Sequence, residues 1–366
     1  MQTPNPAAPS AEAVTAELAA ATDPVQLAVA LMSVDSTSGN EGPVVRLAEA
    51  LLESRGWRVR RIPVTPGRDS LLAVAEGGRT PAVTLSTHLD TVPPYIPPRV
   101  DTDAGRLYGR GACDAKGIAA AMILAAERLR TEGIEAALLF VVGEETHHDG
   151  ARVAGEAVRS GSLGVRSSVL INGEPTESRL ASGTKGALRF TLRTTGRAAH
   201  SAYPELGSSA TMALVRLLAE LEELQLPTHP VLGNTTINIG RLEGGVADNV
   251  LAPWAEARCM ARLVTPAGEL LALLNEWVGD RAELTPGVVA PPVLLGELPG
   301  FERGVMAYAT DIPMLEGWGR PYLFGPGSIH VAHTDGEYVD IAELRASVDG
   351  YVRRARAALE AETGGG

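Results

Sequence analysis

Apolar residues recur at helical spacing over about 25–34 and again over 42–56, where the run stops at Gly56. Strand-like runs follow at 57–63 and 70–75, and 83–87 forms a short strand leading into His88. Pro93, Pro94, Pro97 and Pro98 then impose an extended loop. Residues 118–129 predict an Ala-rich amphipathic helix. The run 136–142 is apolar without alternation, as in a parallel strand covered on both faces, and stops at Gly143-Glu144-Glu145. A helix over about 150–160 and a buried strand at 168–171, just before Glu174, complete the series. Strand alternating with helix in this way predicts an α/β sheet.

The rhythm changes after Gly183. Residues 188–194 alternate as an antiparallel strand does, 208–224 predicts a helix, strands follow near 234–242 and 254–263, and a helix near 267–278. Two helices and about four strands make an inserted α+β domain, assigned to 186–293. A Pro-rich connection over 286–299 leads to a helix near 302–308, a strand near 320–324 and a long final helix from about 340. Residues 1–185 and 294–366 are therefore expected to form one discontinuous domain with a mixed, largely parallel sheet flanked by helices.

The chain has 366 residues, a length that favours two cores over one. The formal net charge of −12 argues against nucleic acid or an anionic membrane as partner. Only two cysteines occur, Cys113 and Cys259, so no disulfide framework is expected and a cytoplasmic location is the default. Residues 1–24 lack the basic and apolar regions of a signal peptide, and no stretch is apolar enough to span a bilayer. The first dozen residues and the Gly364-Gly365-Gly366 tail are expected to be loose.

Metal-type ligands sit where these elements end. His88 and Asp90, two apart, share a face in extended backbone, so a carboxylate can accept the second imidazole N–H. Asp114 precedes a helix in a glycine-rich segment; alone it reads as an N-cap, but its two oxygens can also bridge two cations. Glu144 and Glu145 are neighbouring acids whose burial together needs a cation or a proton. One can ligate while the other serves as a general base. Glu174 and His333 extend the set, with His330 competing for the second histidine role. Three strands delivering such groups to one sheet edge point to a metallohydrolase, because ligands bind beyond the carboxyl ends of parallel strands. His147 and His148 read as a solvated loop, and His200 as an exposed histidine of the insert.

The segments Ser86-Thr87-His88-Leu89-Asp90, Tyr108-Gly109-Arg110-Gly111 running to Asp114-Ala115-Lys116-Gly117, Gly143-Glu144-Glu145, Gly173-Glu174-Pro175-Thr176 and Ala332-His333-Thr334 resemble, in order, the dinuclear zinc deacylases and carboxypeptidases. That family includes acetylornithine deacetylase, succinyl-diaminopimelate desuccinylase and glutamate carboxypeptidase. The resemblance implies one Zn²⁺ held by His88, Asp114 and Glu174 and a second by Asp114, Glu145 and His333, with Co²⁺ or Mn²⁺ able to substitute. It favours His333 over His330 and implies a cis Asp114–Ala115 peptide. It makes Glu144 the catalytic base, Asp90 the partner of His88, and the insert a lid and dimerisation domain of a homodimer. His200 would then stabilise the oxyanion in the partner's site, and Asn249 and Arg262 would contact a substrate carboxylate. Glu174 and the Thr310-Asp311 segment look like the deacylase branch. The expected reaction is removal of the acyl group from a small N-acyl amino acid, as in amino-acid biosynthesis; a carboxypeptidase or dipeptidase is the alternative. A silent metal-binding homologue fits less well with an intact ligand set and Glu144.

Overall fold

A computed structural model describes residues 18–75, 77 and 80–363. The expected looseness of the first dozen residues and of the glycine tail falls outside the described residues. Contacts divide the chain into two units: one runs through Ala181 and takes up Leu295–Gly304 and Asp311 onward, the other comprises Ser182–Leu294 and Val305–Thr310.

The first unit is built on a six-stranded sheet. Its strands are β1 (Trp57–Thr65), β2 (Arg68–Ala75), β3 (Val83–His88), β4 (Ala136–Val141), β5 (Val169–Asn172) and β6 (Arg320–Leu323), in the order β1-β2-β4-β3-β5-β6. β4, β3, β5 and β6 run parallel, while β1 and β2 form an antiparallel edge. Both faces of the sheet are covered, which is why β4 and β5 lack alternation; β3 (Val83-Thr84-Leu85-Ser86-Thr87-His88) does alternate in sequence, yet every residue in all three strands is buried.

Successive residues serve opposite layers. Leu138 and Phe140 of β4 join a core with α3 (Lys116–Thr131), together with residues of α1 (Pro24–Met32), α2 (Gly42–Ser54) and α5 (Ile341–Thr363). Ala137, Leu139 and Val141 join a second core with α4 (Asp149–Arg159), Leu315 and Trp318. Each buried leucine or valine contributes about 1.5–3 kcal/mol relative to exposure. α3 is not amphipathic as its sequence suggested; it is buried all round from Lys116 to Ala126. Its alanines allow sheet and helices to approach from every side, and Lys116 directs its Nζ to the Val34 carbonyl oxygen at 2.7 Å.

The second unit is a four-stranded antiparallel sheet in the order 236–244, 254–263, 186–195, 283–290. Helices Ala210–Ala219 and Ala267–Val278 cover one face, where Leu188, Phe190, Leu192, Ala257 and Cys259 meet Leu214, Leu217, Leu270 and Leu274. The other face carries the exposed Arg189, Arg193 and Arg258. Two expectations fail here. The Pro-rich connection begins as a strand, Glu283–Ala290: Pro286 is tolerated because the strand is at the sheet edge and its register shifts between Pro286 and Val289. The helix expected over 302–308 is instead strand Arg303–Met306, hydrogen-bonded beside Leu180–Thr184. Its helix-like spacing spans only about two turns, too little to offset nucleation against available strand partners.

Candidate metal centre and its neighbours

β3, β4 and β5 deliver their ligands to one edge because they are parallel and end together. His88 is the last residue of β3. Its Nδ1 lies 2.9 Å from the backbone oxygen of Asp90, which fixes the proton on Nδ1 and leaves Nε2 facing inward. The Asp90 carboxylate sits 3.6 Å from the same nitrogen and has a further task. It accepts from Ser38 Oγ (2.8 Å) and from the backbone N–H groups of Glu144 (3.1 Å) and Glu145 (3.2 Å). Asp90 thus ties the end of β4 to the end of β3.

Two glycines make the approach possible. Gly143 has φ +73, and a Cβ there would lie 2.0 Å from Asp149 Oδ1. At Gly173 a Cβ would meet Ile118 Cγ2 at 2.4 Å and Met122 Cε at 2.5 Å, so only glycine lets Glu174 reach the site over α3.

Asp114 lies between two imidazoles. Its Oδ1 is 3.1 Å from His88 Nε2 and its Oδ2 is 3.2 Å from His333 Nε2. His333 Nε2 is also 3.0 Å from Glu145 Oε1, and Glu174 Oε2 is 4.0 Å from His88 Nε2. Ligand atoms of His88, Asp114 and Glu174 lie within 4.8 Å of one another, as do those of Asp114, Glu145 and His333. The two groups share Asp114, whose adjoining peptide to Ala115 is cis. His330 is exposed and is in neither group.

The electrostatics are those of a site built for cations. Burial raises the carboxyls of Glu144, Glu145 and Glu174, and neighbouring carboxylates add to this. Burial acts on Asp114 in the same direction, but hydrogen bonds from His333 and His88 outweigh it and hold that carboxyl well below its usual range. Hydrogen bonds to Asp114 and Glu145 lift His333 to about 10. Protons on the imidazoles therefore offset crowded negative charge, a task divalent cations perform better. Glu174 Oε1 is buried without a hydrogen-bond partner among the described residues, as a free ligand oxygen is. Oxygen and imidazole donors in this number fit two divalent metals.

Residues 182–286 match the model described as a peptidase dimerisation domain. A peptidase M20 domain-containing protein of Schizosaccharomyces pombe is 38% identical over 339 residues, covering 90% of this chain and 83% of the relative. The chain belongs to the M20 peptidase family. A probable carboxypeptidase of Aspergillus fumigatus is 36% identical over 375 residues, covering 90% and 85%. The fold is shared with a tripeptidase from Staphylococcus aureus (TM-score 0.76, 19% identity, covering 91% of this chain and 98% of that one). It is also shared with a dinuclear metal-binding M20 peptidase from Bacillus subtilis (TM-score 0.67, 15% identity, 96% and 99%). As a member of this metallopeptidase family the protein is a hydrolase. Among the described residues no helix is long and apolar enough to cross a membrane.

The remaining sequence candidates lie in the second unit. His200 is exposed, accepts from the Ala202 N–H at 3.1 Å and bridges to Val250, which sets it beside Asn249; the Asn249 carbonyl accepts from Ser201 N at 2.9 Å. Arg262 is on the central strand 254–263, half-buried, its basicity lowered first by burial and then by Arg189. One expectation about the first unit is corrected. His147 is exposed as a loop histidine should be, but His148 is only 14% exposed and lies against Asp311 and Glu144. Its i,i+4 offset from Glu144 was the available signal.

Proposed function

We propose that the protein is a two-metal hydrolase of a linear amide whose leaving group is an amino acid with a free carboxylate. The observation that carries this reading is the pair of ligand groups sharing Asp114. His88, Asp114 and Glu174 would hold one cation, and Asp114, Glu145 and His333 the other, with zinc the first choice. Divalent cations in such a pair supply Lewis acidity, which acidifies water and polarises a carbonyl.

The chain's own residues account for the rest. Glu144 is in neither of the two groups that share Asp114; it clusters instead with His148 and Asp311, ligand-type atoms of all three lying within 4.8 Å of one another, and its backbone is pinned on Asp90 beside Glu145. It takes a proton from water and returns it to the departing amine. His200 donates to the oxygen that gains charge, in a site completed by a second subunit docked through the dimerisation domain. Arg262, whose guanidinium suits a carboxylate, and Asn249 hold the substrate's free carboxyl group.

The name of the Aspergillus relatives, probable carboxypeptidase, favours a peptidyl group on the acyl side. The deacylase reading concerns the same bond with a smaller acyl group, and Glu174 with Thr310-Asp311 is what favours it. The test is hydrolysis by zinc-loaded protein of a panel of N-acetyl amino acids, dipeptides and tripeptides. Highest kcat/KM on a free-carboxylate peptide supports the carboxypeptidase reading, and highest on an N-acetyl amino acid the deacylase. Equal rates on substrates with the carboxylate amidated would refute both.

A further inference from the structure

Glu144 has a second set of neighbours, and none of them belongs to the two ligand groups. His148 Nδ1 is 2.8 Å from Asp311 Oδ1 and 3.6 Å from Glu144 Oε1. The first contact is a hydrogen bond; the second is too long for one and becomes an ion pair when the imidazole is protonated and the carboxyl ionised. Asp311 is 1% exposed, and its backbone oxygen accepts from the N–H groups of Met314 and Leu315, which holds its backbone in place. Burial opposes charge on His148, yet the hydrogen bond to Asp311 outweighs it and lifts the imidazole above its ordinary pKa.

The backbone points the same way. His148 precedes α4 and occupies the N-cap position, but its side chain caps nothing there. It holds φ +52, a conformation that disfavours a bulky residue. The N–H groups of His147 and His148 close the turn onto the Gly143 carbonyl at 3.1 and 2.8 Å. Neither capping nor turn geometry calls for an imidazole. What the imidazole does is lie between two carboxylates that would otherwise repel, one buried and one assigned to the chemistry.

We propose that His148, oriented by Asp311, is a positioning residue for Glu144. It acts as a fixed cationic contact that holds the carboxylate in one rotamer, and no proton is transferred through it. This rests on the reading of Glu144 as the base.

The test is steady-state kinetics on metal-loaded His148→Asn, Asp311→Asn, the double variant and Glu144→Gln, with metal content and Tm measured for each. Asparagine tolerates positive φ, so His148→Asn removes the imidazole and keeps the turn. The expected result, measured well below the melting temperature, is a fall in kcat of about 10- to 100-fold for His148→Asn with KM and metal content unchanged; Tm falls in this variant, because Asp311 is left buried without its partner, and falls less in the double variant. The double variant should be no slower than the slower single one, because the pair acts as a unit. In metal-free protein the hydrogen-bonded Nδ1–H resonance of His148 should vanish in Asp311→Asn. An inactive Glu144→Gln beside a His148→Asn within twofold of the parent overturns the positioning role alone. A fall in activity that tracks loss of metal overturns it as well. An active Glu144→Gln overturns the base assignment itself.

Discussion

The loop that carries Asp114 hangs on one carboxylate, Glu337, and removing that charge is the most direct test of how the site is held. Glu337 Oε1 accepts from the backbone N–H groups of Gly111 (2.9 Å), Cys113 (3.3 Å) and Asp114 (3.3 Å), and Oε2 accepts from Arg110 Nη1 at 2.6 Å. Arg110 also donates to the Thr334 carbonyl at 3.2 Å, so the same pair ties the loop of Asp114 to that of His333. Burial pushes the Glu337 carboxyl up and the charge of Asp114 adds to this, while Arg110 opposes. The intact pair therefore contributes little net stability, but removing one member leaves the other charge buried. Glu337→Gln keeps the volume and creates no cavity. It loses at least one charge-assisted bond, about 1.5–3 kcal/mol. With Arg110 stranded, the expected total is about 3–5 kcal/mol, which already includes the lost bonds. That is a large part of the roughly 5–15 kcal/mol by which proteins are stable. Tryptophans occur in both units (Trp57 and Trp318; Trp254 and Trp277), so fluorescence would blend two transitions. Hydrogen exchange of first-unit peptides against urea, in chelator, isolates the relevant one. The double variant Arg110→Met/Glu337→Gln should lose less than the sum of the singles, by about 0.5–3 kcal/mol. A loss below about 1 kcal/mol for Glu337→Gln at unchanged m would refute the reasoning.

Chelation should abolish hydrolysis, Zn²⁺, Co²⁺ or Mn²⁺ should restore it, and reloading should raise Tm because the ions bind the folded chain; undiminished turnover in a sample shown to be metal-free by mass spectrometry would contradict this. Glu144→Gln should keep both metals while losing turnover on the order of 10²–10⁴-fold, and metal loss from this variant but not from Glu145→Gln would mean the two glutamates are reversed. Gly173→Ala should lower stability by about 1–3 kcal/mol in thermal melts, since its Cβ would meet Ile118 and Met122 at 2.4 and 2.5 Å. Mixing His200→Ala chains with Glu144→Ala chains should restore part of the activity lost in each, and no recovery from verified mixed dimers would exclude a cross-subunit role for His200.

What could be read in the sequence was whatever the backbone dictates locally. Strands β4 and β5 have near-continuous apolar runs because both faces are covered, and such runs say that the strands are parallel and where they end; β3, with Thr84, Ser86 and Thr87, carries no such run. Parallel strands share one carboxyl edge, so His88, Glu144, Glu145 and Glu174 were bound to converge. Asp114 and His333 joined them through the resemblance more than through any periodicity, since each lies in an irregular loop. The misreadings have the opposite character. Strand Arg303–Met306 and the edge strand at Pro286 depend on which neighbour offers free backbone groups, a tertiary fact that four or eight residues cannot encode.

His148 shows the limit most clearly. Its partner Asp311 is 163 residues away, so no window around the histidine contains the contact. In the local sequence Glu144-Glu145-Thr146-His147-His148-Asp149, three acids and two imidazoles look like a hydrated loop. The structure separates them by direction: the side chain of His147 faces solvent, Asp149 pairs with Arg68 at 2.7 Å, and His148 turns toward Asp311 and Glu144. That separation follows from the turn closing on the Gly143 carbonyl, which puts residues 144 and 148 on one side. A site of this kind is therefore legible in those residues, His88, Glu144, Glu145 and Glu174, that follow the ends of regular strands. It is far less legible in a residue such as His148, which acts on Glu144 together with a partner across the fold.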